Sequence, residues 1–195
     1  MISLPESFLS KIKNLLGEDY DNFLESYNKS PLQGLRLNRI KVSPDEWERL
    51  SVVKMDKIPW IDNGYYFDAN IFAATRHPYY YAGLYYIQEP SAQTPANVLQ
   101  VKPGDRVLDL CAAPGGKSTE LAAKLDGQGV LVSNDISATR AKALLKNLGV
   151  FGIKNALITS ETPKKLSNVF KGYFNKILVD APCSGEGMFR KEPAI

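Results

Sequence analysis

The sequence predicts an α/β protein: the first half of a doubly wound parallel sheet over residues 89–195, preceded by a small α+β domain with an aromatic linker over residues 1–88. Three observations point there. From Val101 onward, short apolar strands alternate with amphipathic helices across short connections, the pattern of parallel strands joined by right-handed crossovers. A Gly-containing loop follows the first of those strands. Before residue 88 the periodicity is mixed, helical in places and two-residue in others.

In the first half, Leu4, Phe8, Ile12 and Leu15 recur at helical spacing through residues 4–16, and residues 21–27 form a second helical stretch. The turn-prone Asn28-Lys29-Ser30-Pro31 closes it. Leu35 and Leu37, then Ile40 and Val42, alternate as in a strand with a slip in phase, which a bulge would give. Ser43 and Pro44 predict a helix start, with Ser43 as N-cap and Pro44 at the first helical position. The aromatic tract of Tyr65, Tyr66 and Phe67, then Tyr79 to Tyr81, Tyr85 and Tyr86, suits either stacked bases or packing between modules. Packing is the expectation, as is a structural role for His77, the single histidine.

In the second half, residues 106–110 (RVLDL) read as a buried strand announced by the turn Lys102-Pro103-Gly104-Asp105. A helix over 117–124, a strand over 129–133 and a helix over 137–148 follow. Then come a strand over 156–159, a helix over 163–170 and a strand over 176–179 that ends at Asp180. In the common arrangement this fourth strand pairs beside the first, and ligands sit at the carboxyl ends where strand order reverses. Its outer side would be a bare edge, able to pair with another copy of the chain.

Composition excludes several classes. No stretch approaches the ~18 apolar residues of a membrane span, and the amino terminus lacks the cationic start and apolar core of a signal peptide. Cys111 and Cys183 form neither a disulfide framework nor a zinc site, so no metal is expected and the compartment expected is the cytoplasm. Residues 1–90 hold 10 Lys and Arg against 12 Asp and Glu; residues 91–195 hold 14 against 9. A basic excess that small suits a phosphate backbone but equally an ordinary solvated surface.

The chemistry concentrates at the strand ends. Asp109-Leu110-Cys111-Ala112-Ala113-Pro114-Gly115-Gly116-Lys117-Ser118 lets the backbone approach a ligand closely and opens a helix whose first N–H groups are free to bind it. A phosphate-cradling Walker loop fails because Cys111 stands where its first glycine belongs, and no G-x-G-x-x-G fingerprint is present. What is left is a loop wrapping the methionine end of S-adenosylmethionine. Asp135, after the second strand, could accept from a ribose diol or cap the helix that follows. After the fourth strand, Asp180-Ala181-Pro182-Cys183 sets an acid and a thiol at the same edge. A thiolate beside a methyl donor suits methylation of a pyrimidine at C5, a carbon that becomes nucleophilic once a thiolate adds to C6. Cys183 could equally be a small packed residue.

CAAPGGKST, from Cys111, and DAPCSGEGMFRK, from Asp180, resemble motifs I and IV of the NOL1/NOP2/sun family of RNA 5-methylcytosine methyltransferases. HPYYYAGLYYIQEPSA, from His77, is similar to the segment leading into the catalytic domain of the bacterial 16S ribosomal RNA members, and the likeness runs from about Leu4 to the end of the chain. The resemblance implies a Rossmann-like, class I methyltransferase sheet, S-adenosyl-L-methionine as cofactor and 16S ribosomal RNA as partner. It implies cofactor contacts from Cys111, Ala112, Ala113, Pro114, Gly115, Gly116 and Lys117, with Asp135 on the ribose and Arg140 beside the cofactor. Asp180 would face both the cofactor and the polar edge of the target cytosine. Ser160-Glu161-Thr162 has no Asp where some relatives place one against the adenine. In the family the nucleophile is a motif VI cysteine after a fifth strand, and the motif IV cysteine, here Cys183, assists product release. With only Cys111 and Cys183 present, the expectation is a first part of such an enzyme that lacks the attacking thiolate and does not turn over alone. The competing class is a catalytically inactive cofactor- or RNA-binding fragment.

Overall fold

The computed structural model describes residues 4–189 and divides them into two compact units. Residues up to Pro31 form one together with those from Pro182 onward; Leu32–Ala181 form the other. In the first unit, α1 (Glu6–Leu16) ends at Gly17, whose positive φ of 54° lets the chain turn through a short 3-10 segment into α2 (Tyr20–Ser26). Phe8 is buried, with its ring 6.3 Å from Phe23 and 4.9 Å edge-on from Phe189. Leu15, in the same helical stripe, stays exposed. Lys11 pairs with Glu186 at 2.7 Å, and an ion pair this exposed adds little to stability.

The second unit opens with an antiparallel sheet. Its strands are β1 (Gln33–Leu37), β2 (Gly64–Phe67) and β3 (Tyr85–Ile87), in the order β2-β1-β3. Between β1 and β2 runs α3 (Pro44–Leu50), and α4 (Pro78–Tyr81) precedes β3. Leu35 and Leu37 point to one side of β1, into a core with Trp47, Tyr65, Phe72 and Tyr85. The Tyr85 hydroxyl donates to the Ala74 carbonyl at 2.6 Å, and burial pushes it up to about 12. Arg36, between the two leucines, points the other way and is buried as well.

The bulge expected between Leu37 and Ile40 is instead a turn. Asn38 Oδ1 accepts from Ile40 N at 3.1 Å, and the Asn38 carbonyl accepts from the amides of Lys41 and Val42. That side-chain turn ends the strand at Leu37 and leaves Ile40 exposed while Val42 enters the core. The start of α3 is as expected: Ser43 and Glu46 form a reciprocal capping box with Pro44 at the first position. His77 caps α4 through Nδ1, which accepts from Tyr79 N at 3.3 Å. A further helix, α5 (Pro90–Val98), lies in a stretch to which the sequence pattern assigns no element, and it contains Pro95.

The parallel sheet follows the sequence pattern closely. Its strands are β4 (Arg106–Asp109), β5 (Val130–Asn134), β6 (Ala156–Thr159) and β7 (Lys176–Leu178). Their helices are α6 (Gly116–Leu125), α7 (Ala138–Phe151) and α8 (Pro163–Val169). All strand pairs are parallel, in the order β6-β5-β4-β7. Strand order therefore reverses at β4, between β5 and β7. α7 runs three residues beyond the expected Leu148, because Gly152, with φ 78°, is the left-handed residue that stops it. Val107, Leu121, Leu125, Leu131 and Leu178 meet in one apolar cluster under α6. On the outer strand, Ile177 is exposed. Among the described residues, no helix is long and apolar enough to cross a membrane.

Leu121 is completely buried in the cluster that holds α6 to the sheet. Leu121→Ala is expected to destabilise the protein by about 2–5 kcal/mol in urea titrations, whereas an Ala at exposed Leu145 changes it by less than about 0.5 kcal/mol.

Candidate functional site

Four segments meet at the carboxyl edge of the parallel sheet, because every strand in it points the same way. The loop after β4 is held from two sides. Ala112 N donates to the Asn134 carbonyl at the end of β5 at 2.7 Å, and Gly115 N donates to the Ala112 carbonyl at 2.8 Å. From α7, Arg140 Nη2 donates to the Ala113 carbonyl at 2.8 Å and Asn147 Nδ2 to the Pro114 carbonyl at 2.7 Å. The two glycines serve different ends. Gly115 has φ 113°, outside the range of most side chains, whereas a Cβ on Gly116 would come within 3.0 Å of Gln88 Nε2 and 3.1 Å of the Tyr86 ring.

Three carboxylates gather here. Asp109 ends β4 fully buried, with Oδ2 accepting from Ser118 Oγ at 2.7 Å and Ser118 in turn bonded to Ser133 at 2.8 Å. Asp109 Oδ1 has no hydrogen-bond partner. Burial pushes this carboxyl up to about 6; the Ser118 bond and Lys117 act against the shift, while Asp180 and Asp135 add to it. Asp135, also buried, accepts from Ser137 N at 3.0 Å and lies 3.4 Å from Arg140 Nη2. It therefore fixes the turn into α7, while Ser137 is the cap itself. Asp180 is half exposed and pairs with the mostly buried Lys117, Nζ to Oδ2, at 2.6 Å.

Between these groups lies a cavity of about 200 Å³, in which Tyr86 and Gln88 from the antiparallel sheet face Cys111, Gly116, Lys117 and Asp180. Burial, followed by the three acids, pushes the Cys111 thiol up, so it stays protonated at neutral pH and is a poor nucleophile. Asp135 and Arg140 lie beside the cavity: Arg140 bonds the carbonyl of Ala113, which lines it, and Asp135 lies against Arg140. The segment 160–162 is tied to β5, with Glu161 N donating to Asn134 Oδ1 at 3.0 Å and Thr162 capping α8. Cys183 is exposed and belongs to the other unit; Arg190 and Lys191 of its motif lie outside the described residues. Among the described residues, no group of three or more His, Cys, Asp or Glu side chains is placed to share a metal ion.

Sequence reasoning missed Asp109, Tyr86 and Gln88. An acid inside the apolar run RVLDL was a legible sign of Asp109. For the other two the sign was fainter: residues 86 and 88 share a strand face opposite Tyr85 and Ile87, but the aromatic tract around them hides the alternation.

Comparison with known proteins bears on both halves. Residues 4–90 match the family described as the N-terminal domain of 16S rRNA methyltransferase RsmF, and residues 96–195 match 16S rRNA methyltransferase RsmB/F. Over 201 residues the chain is 35% identical to ribosomal RNA small subunit methyltransferase F of Vibrio cholerae, covering 98% of this chain and 42% of that protein. The counterpart in Pectobacterium atrosepticum is 34% identical over 206 residues, with the same coverage. The chain thus spans about 42% of the length of these curated relatives. Among solved structures, a methyltransferase homologue from Pyrococcus horikoshii superposes with a TM-score of 0.84 at 30% identity, covering 98% of this chain and 63% of that one.

Asp109 makes stability depend on pH. Its folded carboxyl ionises near 6 against an ordinary 3.8, so its contribution is complete below the lower value and lost as pH rises through the upper one. Between pH 4 and 7, urea titrations should show the parent chain losing about 2 kcal/mol relative to Asp109→Asn. Parallel pH profiles for the two would show that Asp109 ionises normally.

Proposed function

The chain belongs to the RsmB/F family of 16S rRNA methyltransferases, and on that premise we propose that it carries the cofactor-binding part of an enzyme that methylates cytosine C5 in small-subunit ribosomal RNA. One observation carries this: a glycine-bearing loop is braced at the point where strand order reverses, with a buried acid closing each of two adjacent strands. The residues fit S-adenosylmethionine. Gly116 has no Cβ to press on the Gln88 and Tyr86 side chains that border the cavity, and Asp109 Oδ1 is a buried acceptor still without a donor. When bound, the cofactor supplies an electrophilic methyl group on a sulfonium.

In this proposal Cys111, Ala112, Ala113, Pro114, Gly115, Gly116 and Lys117 wrap the methionine end. Asp135 accepts from the ribose hydroxyls, and Arg140 keeps that acid and the Ala113 carbonyl in place. Lys117 and Asp180, paired across the cavity mouth, present a polar edge to the extruded cytosine. On the family pattern Cys183 assists release of the methylated base, and the attacking thiolate is a cysteine other than the two present. A polypeptide of these 195 residues then binds cofactor without multiple turnover. The separate matches at 4–90 and 96–195 support a division between an N-terminal domain over residues 1–88 and the methyltransferase part over residues 89–195. A ribosomal RNA substrate implies the cytoplasm. Exposed Ile177 supports self-association of this chain through the outer edge of β7.

Calorimetric titration with S-adenosylmethionine tests the cofactor site. Asp135→Ala is expected to weaken binding by about tenfold or more, the loss of hydrogen bonds to a charged acceptor. Equal affinity in both proteins, or no binding to either, would sink the assignment. With labelled cofactor and 16S ribosomal RNA, repeated turnover at cytosine C5 by the 195-residue chain would refute the missing-thiolate proposal.

A further inference from the structure

The Arg36 side chain leaves the central strand of the antiparallel sheet on the face opposite the aromatic core and ends under the first turn of α6. It is 1% exposed. Its Nη1 donates to Gln88 Oε1 at 2.6 Å and to the Gly116 carbonyl at 2.7 Å, and its Nη2 donates to Thr119 Oγ1 at 2.6 Å. Nε lies 2.9 Å from Glu120 Oε2, close enough for an ion pair although the angle is poor for a hydrogen bond. Glu120 is further held by Asn63 Nδ2 at 3.2 Å. Arg36 and Tyr86 are register partners on neighbouring strands, and the guanidinium lies 5.9 Å from the Tyr86 ring.

A buried arginine kept only to neutralise Glu120 would need one partner. Here two of the acceptors belong to the cavity itself: Gly116 opens α6 and lines it, and Gln88 forms its opposite wall. We propose that Arg36 is a positioning residue for the loop 111–117, setting the Gly116 carbonyl and the Gln88 side chain at a fixed separation so that the small sheet completes the cofactor pocket. The identity of the ligand rests on the cofactor assignment above; the positioning does not. Only a planar fork reaches Gln88, Gly116, Thr119 and Glu120 from one side chain, so a lysine, with a single point of charge, cannot replace it.

The test separates positioning from stability with two variants of the full chain. Arg36→Lys keeps the charge beside Glu120 but loses the fork. The double change Arg36→Met with Glu120→Gln removes both charges, leaves no unpaired ion and keeps an acceptor for Asn63, so stability alone should largely recover. Hydrogen exchange is measured without ligand over residues 111–120, and S-adenosylmethionine affinity by calorimetry well below each midpoint of unfolding. In both variants, exchange over 111–118 should speed up by about tenfold and cofactor affinity should fall by about tenfold, even where the double variant melts with the parent. Folded variants whose exchange and affinity stay within about twofold of the parent would overturn the proposal. So would failure of both variants to fold, since Arg36 would then be a stability residue alone. Should the parent bind no cofactor, faster exchange confined to 111–118 sustains the role of Arg36 while the cofactor assignment falls, and unchanged exchange overturns both.

Discussion

A guanidinium that has left water must find an acceptor for nearly every donor it carries, and this requirement on Arg36 ties the second unit together. Burial pulls its ionisation down and Glu120 pulls it back up, so the buried charge has its partner only while the sheet and α6 remain docked. The partners are Gln88, which directly follows β3, and three residues from the first five of α6: Gly116, Thr119 and Glu120. Such a pair contributes little net stability compared with an apolar substitute, but it tolerates very few relative placements of the two elements. Specific docking, rather than strength, is what the cavity beside it needs.

The same economy of geometry governs the three acids. They lie at one edge because parallel strands deliver all their carboxyl ends to one side. Asp109 is dry and resists ionisation, Asp135 is engaged by a backbone amide and Arg140, and Asp180 is half in water against Lys117. Three identical side chains thus differ in exposure, partners and freedom through their surroundings alone. Of the three, Asp180 borders the cavity, where it forms a balanced ion pair with Lys117.

Much of the parallel sheet was legible in the sequence because its strands are short apolar runs closed by caps and glycines, and those signals act over a few residues. β6 agrees with its expected span, and the Ser43–Glu46 box and the Ser137 and Thr162 caps lie where side-chain chemistry requires. Failures came where a local signal had two outcomes. The phase slip after Leu37 could be a bulge or a turn, and Asn38 decided for the turn by bonding its own neighbours. The sequence pattern assigns no element to α5, and tertiary contact holds it, with buried Ala96 in one cluster with Leu121 and Lys124 Nζ bonded to the carbonyls of Ala96 and Asn97.

By itself the sequence determined the alternation of strands and helices, the loop composition and the placing of Asp135 and Asp180 at strand ends, since each depends on spacing along the chain and on residue type. It also carried the resemblance through the residues from Cys111 and from Asp180. Only the tertiary structure decided that Arg140 braces the loop at Ala113, and that burial pushes the Cys111 thiol up. Only there does Arg36, an exposed-looking residue in an alternating strand, become the buried partner of a helix 80 residues away in sequence. The physical reason is that desolvation is a property of the surroundings: a side chain's identity sets what it can bond, but its charge state and partners follow from what packs around it.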